Sequence, residues 1–312
     1  TRLEIGVQHT DENIQRATKR GHGNAEVYKA SRLLRLAGFK LDYHLMPQLP
    51  LSTPQKDFKM IKEIFTNPEF CPDMIKIYPC TVIDKTELYE DVKKGKFMPY
   101  PDKKLVDMLI RAKNEIIPAY CRISRLIRDI PSHHIMAGNT ITNLREVIQK
   151  QMKERGLRCK CLRCREVGHQ MNIPYDPHLF ITTYPASGGQ EYFLSFEDRE
   201  QQVVYAFLRL RIEDQKENAA LRAQIERYQK TFPAYIRELH TYGHLLSLHK
   251  KTQGKKIAQH KGLGKQLVKE AERICREHKI KQLAVISGIG VRDYYRSLGF
   301  RLQETYMVKK IA

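Results

Sequence analysis

Through residues 1–126, apolar positions follow two alternating periods. The runs RLEIGVQ, FKLDYHLM, DMIKIYP and AYCRISRLI are short and either continuously apolar or apolar at every second position, as strands are. Between them AEVYKASRLLRLAG, PQKDFKMIKEIF and DKKLVDMLIRAKNEI repeat apolar residues every three or four positions, as helices do. Repeated strand–helix units of this kind build a parallel sheet, open or curled into a barrel. Gly38, between a helix and a strand, is placed to cap the helix C-terminus.

The alternation breaks at residues 129–175, where DIPSHHIMAGNTITNLREVIQKQMKERGLRCKCLRCREVGHQ holds one helix and then a cysteine cluster. From residue 176 strands return in HLFITTYPA, QEYFLSFED and VVYAFLRLRI, followed by a polar helix over QKENAALRAQIERYQK. The chain closes with AYIRELHTYGHLLSL, a helix, the strand KQLAVIS, a short helix over VRDYYRSL and a last strand RLQETYMVKKI. The pattern predicts an α/β part over 1–128, a basic, metal-pinned connector over 129–175 and an α+β domain over 176–312.

Composition sharpens this. A chain of 312 residues is long enough for two cores. No run approaches the ~20 apolar residues of a membrane span, and the start TRLEIGVQHT lacks signal-peptide features, so a soluble, intracellular, cytoplasmic protein is expected. Because Thr1 opens directly into a strand-like stretch, the chain is read as a fragment of a longer protein. With 55 Lys+Arg against 35 Asp+Glu the formal charge is +20, which points to a polyanion such as nucleic acid; a basic proteome or a merely solvated surface is the alternative.

Three of the seven cysteines, Cys159, Cys161 and Cys164, are spaced C-x-C-x-x-C. Thiols so close can converge on one ion, and thiolates prefer zinc or iron, so a structural zinc is expected. A tetrahedral site needs a fourth ligand from among His133, His134, His169, Cys80 and Cys121, with His133 or His134 favoured. The alternative is three reduced thiols without metal, which the neighbouring Lys160, Arg163 and Arg165 would leave reactive.

The stretch IAQHKGLGKQL precedes a helix with apolar Leu267, Val268, Ala271, Ile274 and Cys275 on one face. Gly262 and Gly264 remove Cβ atoms at its start, leaving backbone amides and the positive end of the helix dipole open to a phosphate. With Gln259 three residues before Gly262, and Lys261 and Lys265 adding charge, the stretch resembles the pyrophosphate loop of the GCN5-related N-acetyltransferases (GNAT). That resemblance implies coenzyme A on residues 262–265, including Leu263, with Leu246, Ser247 and Leu248 beside the pantetheine arm. YYRSLGF resembles the Tyr-x-x-x-Gly-Phe segment of the same superfamily. It makes Tyr295 the proton donor to the departing thiolate, with Tyr294 beside it; helix packing is the plainer role for either. His244 and His249 are not taken as bases.

In order along the chain, TRLEIGVQ, RGH, LLRLAGFKLDYHLMPQLP, DMIKIYP, RISRLIRDIP, LRCKCLRCREVG, IRELHTYG, QHKGLGKQLVKEAERI and VISGIGVRDYYRSLGF resemble the catalytic subunit of Elongator. The resemblance covers nearly the whole chain. It implies the C-terminal part of a radical S-adenosylmethionine (β/α) partial barrel, a zinc-binding connector and a GNAT domain that together modify carbon 5 of the wobble uridine in tRNA. The family uses acetyl-CoA, S-adenosylmethionine and a three-cysteine 4Fe-4S cluster. No such cysteine motif stands in this sequence, since Cys71, Cys80 and Cys121 are dispersed, so tRNA binding, acetyl-CoA binding and acetyl-CoA hydrolysis are expected without the radical step.

Gln8 and Lys76 are the candidates for S-adenosylmethionine. Arg122, Arg125, Arg128, Lys150, Lys153, Arg155, Arg158, Lys160, Arg163 and Arg165 are the candidates for tRNA phosphates, about half of them expected to be merely solvated. Partners implied are the anticodon stem-loop of tRNA and either a second copy or other Elongator subunits, with no membrane. A protein lysine acetyltransferase is the alternative, against which the charge of +20 would repel a basic protein tail; a noncatalytic zinc-containing tRNA-binding module is a third.

Overall fold

The structure, a computed structural model, describes residues 1–169, 175–242 and 262–312. It divides into two compact units, one of Glu4–Ala30 with Leu41–Arg163, the other of Thr1–Leu3, Ser31–Lys40 and Cys164–Ala312.

The first unit carries, in order, β1 (Arg2–Gln8), α1 (Glu12–Ala17), α2 (Asn24–Leu36), β2 (Lys40–Leu45), α3 (Pro54–Thr66), β3 (Met74–Ile77), β4 (Thr81–Ile83), α4 (Glu87–Lys93), α5 (Asp102–Glu115), β5 (Arg122–Arg125), β6 (Ile135–Gly138) and α6 (Leu144–Glu154). The C-terminal part of α2, from Ser31, and Lys40 of β2 group with the second unit. The main sheet runs β1-β2-β3-β5, and β2, β3 and β5 are parallel, with Tyr43 opposite Ile75 and Ile75 opposite Ile123. Side chains alternate across a strand, so Tyr43, Leu45, Ile75, Ile77 and Ile123 share one buried face. α3 begins where the Thr53 hydroxyl accepts the Lys56 N–H and Pro54 occupies the first helical position; its buried Met60, Ile61 and Ile64 and the apolar side of α5 pack together. The sequence pattern missed β4, α4 and β6, which are too short to show a period; β4 and β6 pair antiparallel.

The second unit continues with β7 (His178–Pro185), β8 (Gly189–Glu197), β9 (Val204–Glu213), α7 (Ala219–Ile225), β10 (Ala234–Thr241), α8 (Leu263–Glu277), β11 (Gln282–Val285), α9 (Arg292–Ser297), β12 (Arg301–Gln303) and β13 (Tyr306–Lys310). Its seven-stranded sheet has the order β12-β13-β11-β10-β9-β8-β7. Among the described residues only β10 and β11 are parallel in it, and they pair at two positions, Tyr235 with Ala284 and Ile236 with Val285. Beyond them β10 runs on to Thr241 against β9 while β11 stops at Val285, so the two strands part. The predicted apolar face of α8 is borne out: Leu267, Val268, Ala271, Ile274 and Cys275 are all buried in the core over this sheet. Burying each large aliphatic side chain there is worth roughly 1.5–3 kcal/mol.

Two expectations are corrected. The polar helix over residues 215–230 shrinks to α7, which buries no residue and so lacks the packing that would extend it. The last strand is a hairpin, β12 and β13, turning at Glu304 with φ +54°. Gly38 caps its helix as predicted, with φ +77° and its N–H on the Arg35 carbonyl; a Cβ there would lie 2.9 Å from the Tyr235 ring.

Candidate functional site

The start of α8 lies beside the end of β10, past the last position at which β10 pairs with β11. Gly262 is its N-cap at φ +75°, no side chain caps it, and the first N–H returning into the helix is that of Gln266, to the Gly262 carbonyl. The amides of Leu263, Gly264 and Lys265 therefore have no carbonyl within the helix, and the dipole adds positive potential at the same point. The two glycines were expected to act alike, and the geometry separates them. A Cβ on Gly262 would meet nothing within 4 Å among the described residues, so glycine answers there to the left-handed backbone. A Cβ on Gly264 would lie 2.9 Å from the Tyr294 hydroxyl and 3.5 Å from Thr241 Cγ2, so glycine there makes room for that phenol and the end of β10.

Tyr294 is half-buried, and burial pushes its phenol above the ordinary value. Tyr295 is 5% exposed, belongs to the core and sets its ring edge-on to Phe300 at 5.7 Å; burial raises its phenol well above the usual range. Of the two, Tyr294 carries its hydroxyl to the helix end. Gln259, Lys261, Leu246, Ser247 and Leu248 lie outside the described residues, as do His244 and His249.

The thiols of Cys159, Cys161 and Cys164 lie within 4.8 Å of one another, with Cys159 and Cys161 buried, the convergence a metal ion needs. Among the described residues no histidine, carboxylate or further cysteine joins the group, so the preference for His133 or His134 is not supported; their rings lie 4.1 Å apart and tilted by 47° in a short 3-10 turn. The His169 side chain lies outside the described residues. Cys80 sits in an apolar cluster with Ile14 and Leu49, where burial pushes its thiol up to about 12. Cys121 is fully buried, and its carbonyl accepts the Leu162 N–H at 2.8 Å, within the loop that carries the cluster.

Of the candidate phosphate contacts, Arg125, Arg128, Lys150, Lys153, Arg155, Arg158 and Lys160 are exposed, and Arg122 and Arg163 are partly so. Arg125 pairs with Asp129 and Arg155 with Asp107. Arg165 is a correction: it is 4% exposed and its guanidinium binds Glu197 at 2.5 Å and the Gln201 carbonyl, so it faces the core. Lys76 is also engaged, 2.6 Å from Glu4, which takes His44 Nε2 at 2.8 Å; the hydrogen bond from Lys76 is the main favourable influence holding the Glu4 carboxyl below its usual range. Gln8 ends β1 at φ +64° with its side-chain oxygen buried and without a hydrogen-bond partner among the described residues.

Residues 72–154 match the Radical SAM C-terminal domain and residues 200–310 the acetyltransferase (GNAT) domain. The chain thus joins the closing segment of a radical S-adenosylmethionine protein to an acetyltransferase fold. It is 46% identical, over its whole length, to a tRNA uridine(34) acetyltransferase of Methanocaldococcus infernus, and 40% identical to Elongator complex protein 3 of Homo sapiens. The solved structure of the archaeal Methanocaldococcus infernus Elp3 with an N-terminal deletion aligns at a TM-score of 0.86 and 43% identity, covering 99% of this chain and 72% of that one. The chain belongs to the Elp3 family. It spans 58% and 56% of the length of those two curated relatives. Among the described residues no helix is long and apolar enough to cross a membrane.

Proposed function

We propose that this chain supplies the acetyl-CoA and tRNA handling of an Elongator-type acyltransferase whose whole reaction carboxymethylates carbon 5 of the wobble uridine. The observation carrying this is the uncapped start of α8 beside the end of β10, past its pairing with β11, with the Tyr294 hydroxyl against it. The free amides of residues 263–265 receive the pyrophosphate, and the open edge of β10 past Ile236 receives the amide-bearing arm. Bound acetyl-CoA supplies the thioester. Tyr294 then takes the role expected of Tyr295: its neutral phenol, kept protonated by burial, donates a proton to the departing thiolate.

The cysteine cluster suits a structural zinc held by Cys159, Cys161 and Cys164, with the fourth position left to a group outside those three. Among the described residues, Cys71 and Cys80 form no second converging set with Cys121. The exposed arginines and lysines of residues 125–160 give tRNA affinity through phosphates. A cytoplasmic location and assembly with a second copy or other Elongator subunits belong to the same proposal.

Calorimetry tests the acyl site. The wild-type protein should bind acetyl-CoA, and Gly262→Val should weaken binding at least tenfold while circular dichroism stays native. A wild-type protein that takes up no acetyl-CoA sinks the reading.

A further inference from the structure

A second surface of the acetyltransferase unit has the chemistry of a nucleic-acid contact. Between α7 and β10 the chain presents Arg227, Tyr228, Gln229 and Lys230, which line a depression of about 690 Å³ together with Gln282 and Glu304. Tyr228 is 88% exposed, the most exposed of the large hydrophobic side chains among the described residues. Gln282 also lines an adjoining depression of about 540 Å³ that carries Arg301 and Lys310. The two hollows form one strip along the β11, β12 and β13 end of the sheet.

The charges on the strip do not cancel. Arg227, Lys230, Arg301 and Lys310 are exposed, and none takes part in an ion pair among the described residues. Glu304 is the exposed acid facing them. Glu226 is occupied by Arg222 at 3.1 Å and by the Thr231 hydroxyl, and Lys309 by Glu272. Lys230 lies over the Phe232 ring at 5.8 Å, which holds its ammonium near the rim. An exposed phenol ring offers a face on which any base can stack, and flanking cations that form no ion pair among the described residues suit a phosphodiester backbone. A protein partner would be expected to bury apolar neighbours around such an anchor, whereas apart from Pro233 the residues lining the depression with Tyr228 are polar or charged, and Leu302 of the adjoining hollow is the one exposed large aliphatic side chain among those lining the two.

We infer that Tyr228, flanked by Arg227 and Lys230, forms a contact for unpaired nucleotides of the tRNA, separate from the basic run of residues 122–163. This rests on the tRNA-handling reading above. It places the base on the ring and the neighbouring phosphates on the cations, and it uses none of the residues assigned to acetyl-CoA.

The test is tRNA binding by the whole protein across a salt series, with acetyl-CoA binding as a control for folding. Tyr228→Ala should weaken tRNA binding roughly five- to a hundredfold without changing the salt slope, because stacking releases no counterions, and Tyr228→Phe should restore it. Arg227→Gln with Lys230→Gln should flatten the slope by about 0.7 to 0.9 for each phosphate that is no longer neutralised. A single-stranded oligouridylate should lose affinity for Tyr228→Ala, whereas a duplex of equal length should not. If the wild-type protein binds tRNA and all these variants match it, as they would for a protein-docking surface, this inference is overturned and the tRNA reading stands. A wild-type protein without tRNA affinity at low salt overturns both.

Discussion

Glu191 in β8 is a buried carboxylate that neutralises three buried arginines of the second unit. It is 1% exposed and accepts from Arg35 at 2.6 Å, Arg237 at 2.6 Å and Arg211 at 3.1 Å, three guanidiniums that are themselves buried. Arg211 keeps Glu213, at 2.5 Å, as a second carboxylate. Replacing Glu191 by Gln preserves shape and one acceptor oxygen but leaves buried positive charge without this counter-ion. Breaking a buried pair costs about 3–5 kcal/mol, several times what removing an exposed one costs. For a unit of this size each kcal/mol shifts the midpoint by about 2–4 °C, so a fall of roughly 6–20 °C is expected in thermal unfolding followed by circular dichroism. The control is Asp293→Asn, which removes the exposed partner of Arg296, with side chains 92% and 52% exposed, and should cost under about 1 kcal/mol. If Glu191→Gln unfolds within about 1 kcal/mol of the wild type, the arginines are neutralised by other means and the argument from buried charge is wrong.

Chelation, or Cys161→Ser, should release about one zinc per chain and lower the unfolding temperature; metal analysis of the wild type showing no zinc would remove the structural site. Tyr294→Phe should slow tRNA-dependent coenzyme A release more than it weakens acetyl-CoA binding, and a Tyr295→Phe protein that alone showed this loss would return the donor role to Tyr295. Tyr295 should instead register in alkaline stability. Its phenol is raised in the folded state, so its contribution is complete below about pH 10, the unfolded value, and is lost as pH rises beyond it; Tyr295→Phe should make that decline shallower by up to about 1.4 kcal/mol per pH unit.

The parts of the fold legible in the sequence were those written in local period. α3, α5 and α8 show an apolar residue every third or fourth position, and their buried faces follow from that alone. What escaped depends on partners far along the chain. Arg165 looked like one more solvated cation in a basic run, and only the fold brings Glu197 to it. Arg35 stands on an amphipathic helix of the strand–helix part, yet the segment Ser31–Lys40 groups with the acetyltransferase unit and delivers Arg35 to Glu191. The parting of β10 and β11 is a property of pairing, fixed by where β11 stops, and no residue pattern in either strand announces it.

The two glycines before α8 carry the same point into the candidate site. In sequence Gly262 and Gly264 are one motif with one purpose, backbone exposed to a phosphate. In the structure only Gly262 has its missing Cβ directed at space empty of described atoms, and its left-handed backbone is what turns the chain so that the following amides point outward. Gly264 faces the Tyr294 hydroxyl, so any side chain there would displace the phenol before it touched a ligand. In the proposed acyl site, one glycine sets the backbone of the helix end and the other leaves room for the Tyr294 hydroxyl. The spacing between them therefore constrains two groups at once, the backbone at the start of α8 and the phenol of Tyr294, and neither glycine can stand in for the other.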